Sequence, residues 1–141
     1  MRLLAQLLDR AVEALPPTAR RNAVVFGSAP MVFAGLKPDV SFDLDLFVDD
    51  TTYRALIGAG FKQDHDERGL PRIMAAESVE VVSTWPGVTF EAVFGSSAPQ
   101  RRSRGLRVAA LEHVLAFKAF STREKDLKEA DVIRRALQDR R

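Results

Sequence analysis

The sequence predicts an α+β domain with a mixed, mainly antiparallel sheet and helices packed on one face. Apolar residues recur at helical spacing near both ends of the chain, and short apolar runs typical of strands lie between them, separated by turn-forming residues. The 141 residues and 46% hydrophobic content suit a single domain over 1–141. The predicted order is helix, strand, helix, strand, helix, three short strands and two helices.

Residues 1–17 predict an amphipathic helix that ends at Pro16 and Pro17. Its apolar stripe contains Leu4, Leu7, Leu8, Ala11, Val12 and Leu15. Charged residues interrupt this segment, so it lacks the apolar centre of a signal peptide, and no run in the chain approaches the roughly 20 apolar residues of a membrane span. The chain has no cysteine, which excludes disulfides and thiol chemistry. We therefore expect a cytoplasmic protein without a membrane partner.

The next two predicted strands carry the residues that point most directly to chemistry. The apolar run 24–26 leads to Gly27 and Ser28, where a tight turn would open a helix over 29–36 whose free amides favour phosphate. In the strand 41–48, Asp43 and Asp45 share one face, because side chains two apart point the same way, and the opposite face is apolar. Two carboxylates about 7 Å apart repel each other unless a divalent cation or solvent compensates them. The pattern therefore predicts either a metal site or a solvated strand.

The middle of the chain predicts a helix from Asp50 or Thr51, three short strands over 61–63, 72–75 and 79–83, and a polar turn that carries His65. The last of these strands contains Glu80, which either faces solvent on an outer sheet face or belongs to a site. A basic stretch over 100–107 predicts a loop that either holds phosphates or is solvated. The net charge of only +2 argues against a general polyanion-binding surface.

Two helices are predicted within 107–138, the first over 107–120. Lys118 is in register with Leu111, Val114 and Leu115, so it lies on or beside an apolar stripe and either extends to solvent or points at an anion. Asp126 is likewise in register with the apolar residues Ala130, Ile133 and Leu137 of the last helix.

The pattern Gly27-Ser28, a helix, then Ser41-x-Asp43-Leu44-Asp45 resembles the signature of the DNA polymerase β-like nucleotidyltransferase superfamily. The resemblance implies that the Gly-Ser turn holds the triphosphate of a nucleotide and that Asp43 and Asp45 hold magnesium. It also implies a third acid from a later strand, for which Glu80 is the candidate, although Asp is commoner in the family. Glu91 is a weaker candidate, because 89–94 predicts a helical turn or loop.

The segment from Leu111 to Lys118, followed by Arg123-Glu124-Lys125-Asp126-Leu127, resembles the end of the abortive-infection toxin type of nucleotidyltransferases. This implies that Lys118 and Lys125 flank the nucleotide, with a metal and triphosphate core over 22–83. A solvated Lys125/Asp126 pair is the alternative. Either Glu129 or Asp131 would complete the pattern.

The resemblance implies a nucleotidyltransferase that depends on Mg²⁺ or Mn²⁺ and transfers a nucleoside monophosphate from a nucleoside triphosphate to a hydroxyl group. The acceptor would be the end of an RNA such as tRNA, a protein or a small molecule. The chain would act alone, as a homo-oligomer, or with a cognate partner in a toxin–antitoxin system. The alternative is a non-catalytic nucleotidyltransferase-like module that binds a nucleotide or a partner.

Overall fold

The computed structural model describes residues 1–140, which form seven helices and one seven-stranded sheet. In chain order the elements are α1 Arg2–Ala14, α2 Pro17–Asn22, β1 Val24–Phe26, α3 Ala29–Phe33, β2 Leu44–Phe47, α4 Asp50–Gly58, β3 Gln63–His65, β4 Pro71–Ala76, β5 Val79–Val82, α5 Phe90–Ser96, β6 Ala98–Pro99, β7 Arg107–Val108, α6 Leu111–Phe120 and α7 Glu124–Asp139.

The sheet has the strand order β3-β4-β5-β2-β1-β7-β6. The pairs β2/β5 and β1/β7 are parallel, and the other four neighbouring pairs are antiparallel. The predicted fold class, α+β with a mixed and mainly antiparallel sheet, is therefore confirmed.

Helices cover both faces of the sheet, whereas the sequence predicted helices on one face only. Val25, Leu46 and Val81 face a core that includes residues of α1, α2 and α4. Val24, Phe26 and Phe47 face a second core that includes residues of α5, α6 and α7. The second face needs this cover because it carries large aromatic side chains: the Phe26 ring makes edge-to-face contacts with Phe47 at 5.8 Å and with Trp85 at 4.8 Å.

The N-terminal helix forms as predicted, with Leu4, Leu7, Leu8 and Ala11 buried. Pro17 does not simply end it but occupies the first turn of α2, a position where the missing N–H costs little. The start of α1 is capped from a distant loop, since Asp39 accepts hydrogen bonds from the backbone N–H groups of Leu3 and Leu4. Burial acts to raise the pKa of Asp39, but the backbone N–H groups of Leu4, Leu3 and Val40 outweigh it and lower that pKa.

Several predicted boundaries are wrong. β2 begins at Leu44, so Phe42 and Asp43 precede the strand, and Phe42 is 76% exposed. The first short strand runs over Gln63–His65, which places the exposed His65 in a strand. The predicted helix over 107–120 begins only at Leu111, because β7 pairs with β1 instead of continuing the helix.

The basic stretch forms turns at the end of the sheet opposite Gly27. β7 runs parallel to β1, with Arg107 beside Val24, so the residues before Arg107 lie beyond the start of β1. Arg104 pairs with Asp9 of α1 at 2.9 Å. No helix in the described range 1–140 is both long and apolar enough to cross a membrane.

Candidate functional site

A cavity of about 380 Å³ opens beyond the carboxyl end of β1, on the face that α6 and α7 cover. This volume lies within the range of small-molecule sites. Seven site residues nominated from the sequence line it, although they come from separate parts of the chain: Gly27, Ser28, Asp43, Asp45, Glu80, Lys118 and Lys125. Glu91, the weaker candidate, lies on α5 and lines a different, smaller pocket.

Asp45 and Glu80 lie side by side on the neighbouring parallel strands β2 and β5. Residues paired in this way project from the same sheet face, here the face of Phe26 and Phe47. Burial raises the pKa of Asp45 well above its usual range, and a hydrogen bond with Glu80 and the negative charges of Glu80 and Asp43 raise it further. The positive charge of Lys118 opposes this rise. Three carboxyl groups, those of Asp43, Asp45 and Glu80, therefore lie close enough together at this point of the cavity to influence one another.

Gly27 lies directly against Asp45. Its φ of +65° belongs to the left-handed region that favours glycine, and an added Cβ would overlap Asp45 Oδ2. The turn therefore needs glycine both for its backbone conformation and for the close approach of the Asp45 carboxyl group. The helix after it is shorter than predicted, because α3 ends at Phe33, so its dipole contributes little toward phosphate.

Lys118 is the centre of a buried polar network. Its side chain is 2% exposed, and Nζ donates to Ser28 Oγ at 3.1 Å, Asp126 Oδ1 at 3.2 Å and Glu129 Oε1 at 2.8 Å. These three hydrogen bonds use all three protons of the ammonium group. Lys118 therefore neither extends to solvent nor offers an open positive charge to a ligand. It holds the Ser28 side chain in place.

Glu129, and not Asp131, is the later acid that joins this network. Glu129 accepts hydrogen bonds from Ser28, Lys37 and Lys118. Burial acts to raise its pKa, but the bonds from Lys118 and Lys37 outweigh this effect and lower the pKa to about 2. Asp131 is exposed and pairs only with Arg134 on its own helix.

Asp126 is also buried, and it binds Lys118 and Ser121 instead of forming a solvated pair with Lys125. The apolar stripe shared with Ala130 and Ile133 was the sequence signal for this burial. Lys125 itself is exposed at the cavity.

Three cations at or near the site, Lys37, Arg68 and Arg72, were not predicted from the sequence. Arg68 and Arg72 line the cavity from the β3–β4 hairpin. Arg72 donates to Asp64 at 2.8 Å, and its Nη1 lies 3.6 Å from Glu80 Oε1. The alternation of β4 could have placed Arg72 beside Glu80 once the two strands were known to pair. Lys37 lies in a loop, where no periodic signal marks it.

Carboxylate oxygens are the donors that magnesium and manganese prefer, so the chemistry of Asp43, Asp45 and Glu80 fits such a cation. A bound cation would also oppose the burial and the acidic neighbours that raise the pKa of Asp45. Within residues 1–140, however, no group of three or more such side chains is already arranged to hold a metal ion.

Comparison with protein-family models gives no match, and comparison with curated proteins gives none either.

Proposed function

We propose that this protein is a metal-dependent nucleotidyltransferase that transfers a nucleoside monophosphate from a nucleoside triphosphate to a hydroxyl acceptor. The observation that carries the proposal is the pairing of Asp45 with Glu80 on parallel strands, directly against the Gly27 turn and inside one cavity. The membership of the nucleotidyltransferase superfamily that the sequence resemblance implies is part of the same proposal.

Asp43, Asp45 and Glu80 would hold Mg²⁺ or Mn²⁺. When bound, this cation supplies charge neutralisation for the triphosphate and lowers the pKa of the attacking hydroxyl group. Its positive charge would also favour the ionised form of Asp45, which burial and the neighbouring Glu80 and Asp43 disfavour.

The triphosphate would lie against the backbone of Gly27 and Ser28, which a side chain at Gly27 would obstruct. Lys118 serves as a positioning residue, since it fixes Ser28 through a hydrogen bond. The exposed Lys125 would contribute an open positive charge at the cavity. Arg68 of the hairpin also lines the cavity, but its guanidinium pairs with Asp66 at 3.3 Å and would have to turn to reach a phosphate. Positioning and charge neutralisation would supply most of the rate acceleration.

In the transfer step the acceptor oxygen forms a bond to the α-phosphorus while the bond from that phosphorus to the β-phosphate oxygen breaks. Pyrophosphate leaves with the electron pair, and Glu80 accepts the proton of the acceptor hydroxyl. For this, Arg72 Nη1 would have to give up its 3.6 Å contact with Glu80 and turn toward phosphate oxygens or Asp64.

The test is transfer of label from each of the four α-³²P nucleoside triphosphates, with magnesium or manganese, to bulk tRNA, to cell protein or to small hydroxyl acceptors. Glu80→Gln should lower the transfer rate by about a hundredfold or more with little change in nucleotide affinity, because the proton is accepted in the transition state. Glu80→Asp should retain activity. Glu91→Gln is the matched control, since Glu91 lies on α5 outside the cavity. Equal activity of Glu80→Gln and Glu91→Gln would contradict the assignment.

A second candidate function is a non-catalytic module that binds a nucleotide. Two contacts favour it: Arg72 already neutralises part of the charge of Glu80, and Lys118 is fully engaged by protein groups. This function predicts tight nucleotide binding without label transfer to any of the acceptors and a Glu80→Gln variant that behaves as the wild type.

A further inference from the structure

Phe42 is an aromatic side chain that the fold leaves in solvent at the candidate site. It is 76% exposed, and its ring belongs to none of the aromatic pairs among residues 1–140. Full burial of such a side chain would contribute about 1.5–3 kcal/mol to stability, which this position forgoes. Phe42 nevertheless lines the same cavity as Gly27 and Asp45.

The other two aromatic residues of the cavity are already committed to the core. Trp85 and Phe117 are 7% and 6% exposed. Their rings contact each other edge to face at 4.8 Å and 88°, and both also pack against Phe26. Phe42 is therefore the one aromatic residue lining this cavity, within the described range, that has an uncovered ring face.

The loop that carries Phe42 is anchored at both ends. Val40 is 6% exposed on one side and Leu44 is fully buried on the other. Asp39 binds the backbone of Leu3 and Leu4, and the Leu44 N–H donates to the Ser78 carbonyl oxygen at 2.9 Å. Because the backbone on both sides of Phe42 is anchored, binding of a flat ligand would have to order only the side chain.

We infer that Phe42 forms a stacking platform for the base of the nucleoside triphosphate, and thereby sets a preference for purine over pyrimidine nucleotides. The inference rests on the proposed function, because the triphosphate must lie at Gly27 and Ser28 for its base to reach Phe42. Every nucleobase has an aromatic face, and a purine offers the larger one. Phe42 directly precedes Asp43 in the sequence, and Asp43 belongs to the proposed metal site. The ring is therefore carried by the residue next to one that would bind the metal and, through it, the phosphates.

The test is calorimetric titration in magnesium of wild type, Phe42→Ala, Phe42→Leu and Phe42→Trp. The ligands are α,β-methylene-ATP, α,β-methylene-CTP and inorganic tripolyphosphate. The α,β-methylene bridge prevents cleavage at the bond that the proposed transfer breaks. Tripolyphosphate carries the phosphate charge without a base, so it separates phosphate binding from base stacking.

Phe42→Ala should weaken α,β-methylene-ATP by about 5- to 150-fold, the range for loss of one base–aromatic stack. The affinity for tripolyphosphate should remain unchanged. The affinity for the CTP analogue, which has the smaller base, should fall less than the affinity for the ATP analogue. Phe42→Trp should preserve or improve binding, and Phe42→Leu should resemble Phe42→Ala. Phe120→Ala is the matched control, since Phe120 is 68% exposed but does not line the cavity.

Unchanged affinity of Phe42→Ala for α,β-methylene-ATP would overturn the inference while leaving the proposed function intact. If Phe42→Ala weakened the binding of α,β-methylene-ATP and of tripolyphosphate equally, the inference would also be overturned, because the effect would then be on phosphate binding. Slower transfer to an acceptor at unchanged nucleotide affinity would assign the ring to the acceptor instead. If wild type binds neither tripolyphosphate nor either nucleotide analogue, the proposed function itself fails.

Discussion

Replacement of Asp45 by asparagine should stabilise the protein in the absence of divalent metal. Asn has the same shape as Asp, so it preserves the contact with Gly27. It removes the negative charge beside Glu80 and Asp43, and its amide can donate a hydrogen bond to the Glu80 carboxylate. A buried site that loses a charge without losing volume should gain stability.

The size of the gain follows from the strand spacing. Neighbouring strands lie about 5 Å apart, and two unit charges at that distance repel by about 3 kcal/mol at an effective dielectric constant of about 20. Burial and its acidic neighbours raise the pKa of Asp45, so its carboxyl group avoids part of this repulsion by keeping its proton over part of the pH range. We therefore expect Asp45→Asn to gain less than the full repulsion, about 1 kcal/mol at pH 8, or about 4 °C in Tm for a chain of this size.

The gain should depend on pH in one direction. The unfolded chain titrates near the ordinary value of 3.8, and the folded chain titrates above it. Wild type therefore loses stability as the pH rises from about 4 through the raised pKa, whereas Asp45→Asn lacks this loss. The Tm difference between the two should widen from pH 5 to pH 8 in EDTA, measured by circular dichroism. Asp131→Asn, at an exposed aspartate, should change stability by less than about 0.5 kcal/mol throughout.

Metal should reverse the order of stability. If manganese binds with a Kd of about 0.1 mM, 10 mM of it would add about 2.7 kcal/mol to wild type, because it binds only the native state. Asp45→Asn should gain much less. A variant that is no more stable than wild type in EDTA would refute the charge argument, and equal responses of both proteins to manganese would refute the metal assignment.

Three further predictions concern the network and the turn. Lys118→Met should lower the free energy of unfolding, measured by urea denaturation, by about 3–5 kcal/mol, because it leaves two buried carboxylates without their partner. A smaller loss would mean that Asp126 and Glu129 find other partners. The lowered pKa of Glu129 should stabilise the fold above pH 4.5, and this stabilisation should be lost as the pH falls toward 2. In thermal melts from pH 7 to pH 2, the Tm of Glu129→Gln should therefore fall less with acid than the Tm of wild type. Gly27→Ala should lower the free energy of unfolding clearly more than Gly35→Ala, because Gly35 has a similar positive φ but open space for a Cβ. Equal losses in urea denaturation would show that the contact with Asp45 is unimportant.

The sequence by itself determined most of the elements of this protein, because local periodicity reports which side of a helix or strand is buried. The stripe of α1, the apolar run of β1 and the alternation of β2 all appear in the structure. The Gly27-Ser28 turn and the Asp43/Asp45 pair could also be identified, since residue types that tolerate special backbone geometry or repel each other on one face are conspicuous.

Only the tertiary structure decided which residues meet. The neighbour of Asp45 is Glu80, 35 positions away, because β2 pairs with β5 in one register, and no local pattern encodes that register. The same holds for Lys118, whose partners lie on the β1–α3 turn and on α7, so its role as a fully bonded positioning residue could not be told from that of an open cation. The fold also decided that Phe42 stays exposed although it continues the alternation of β2, because the strand starts at Leu44. Periodicity depends on neighbours along the chain, whereas pairing and exposure depend on how distant segments pack.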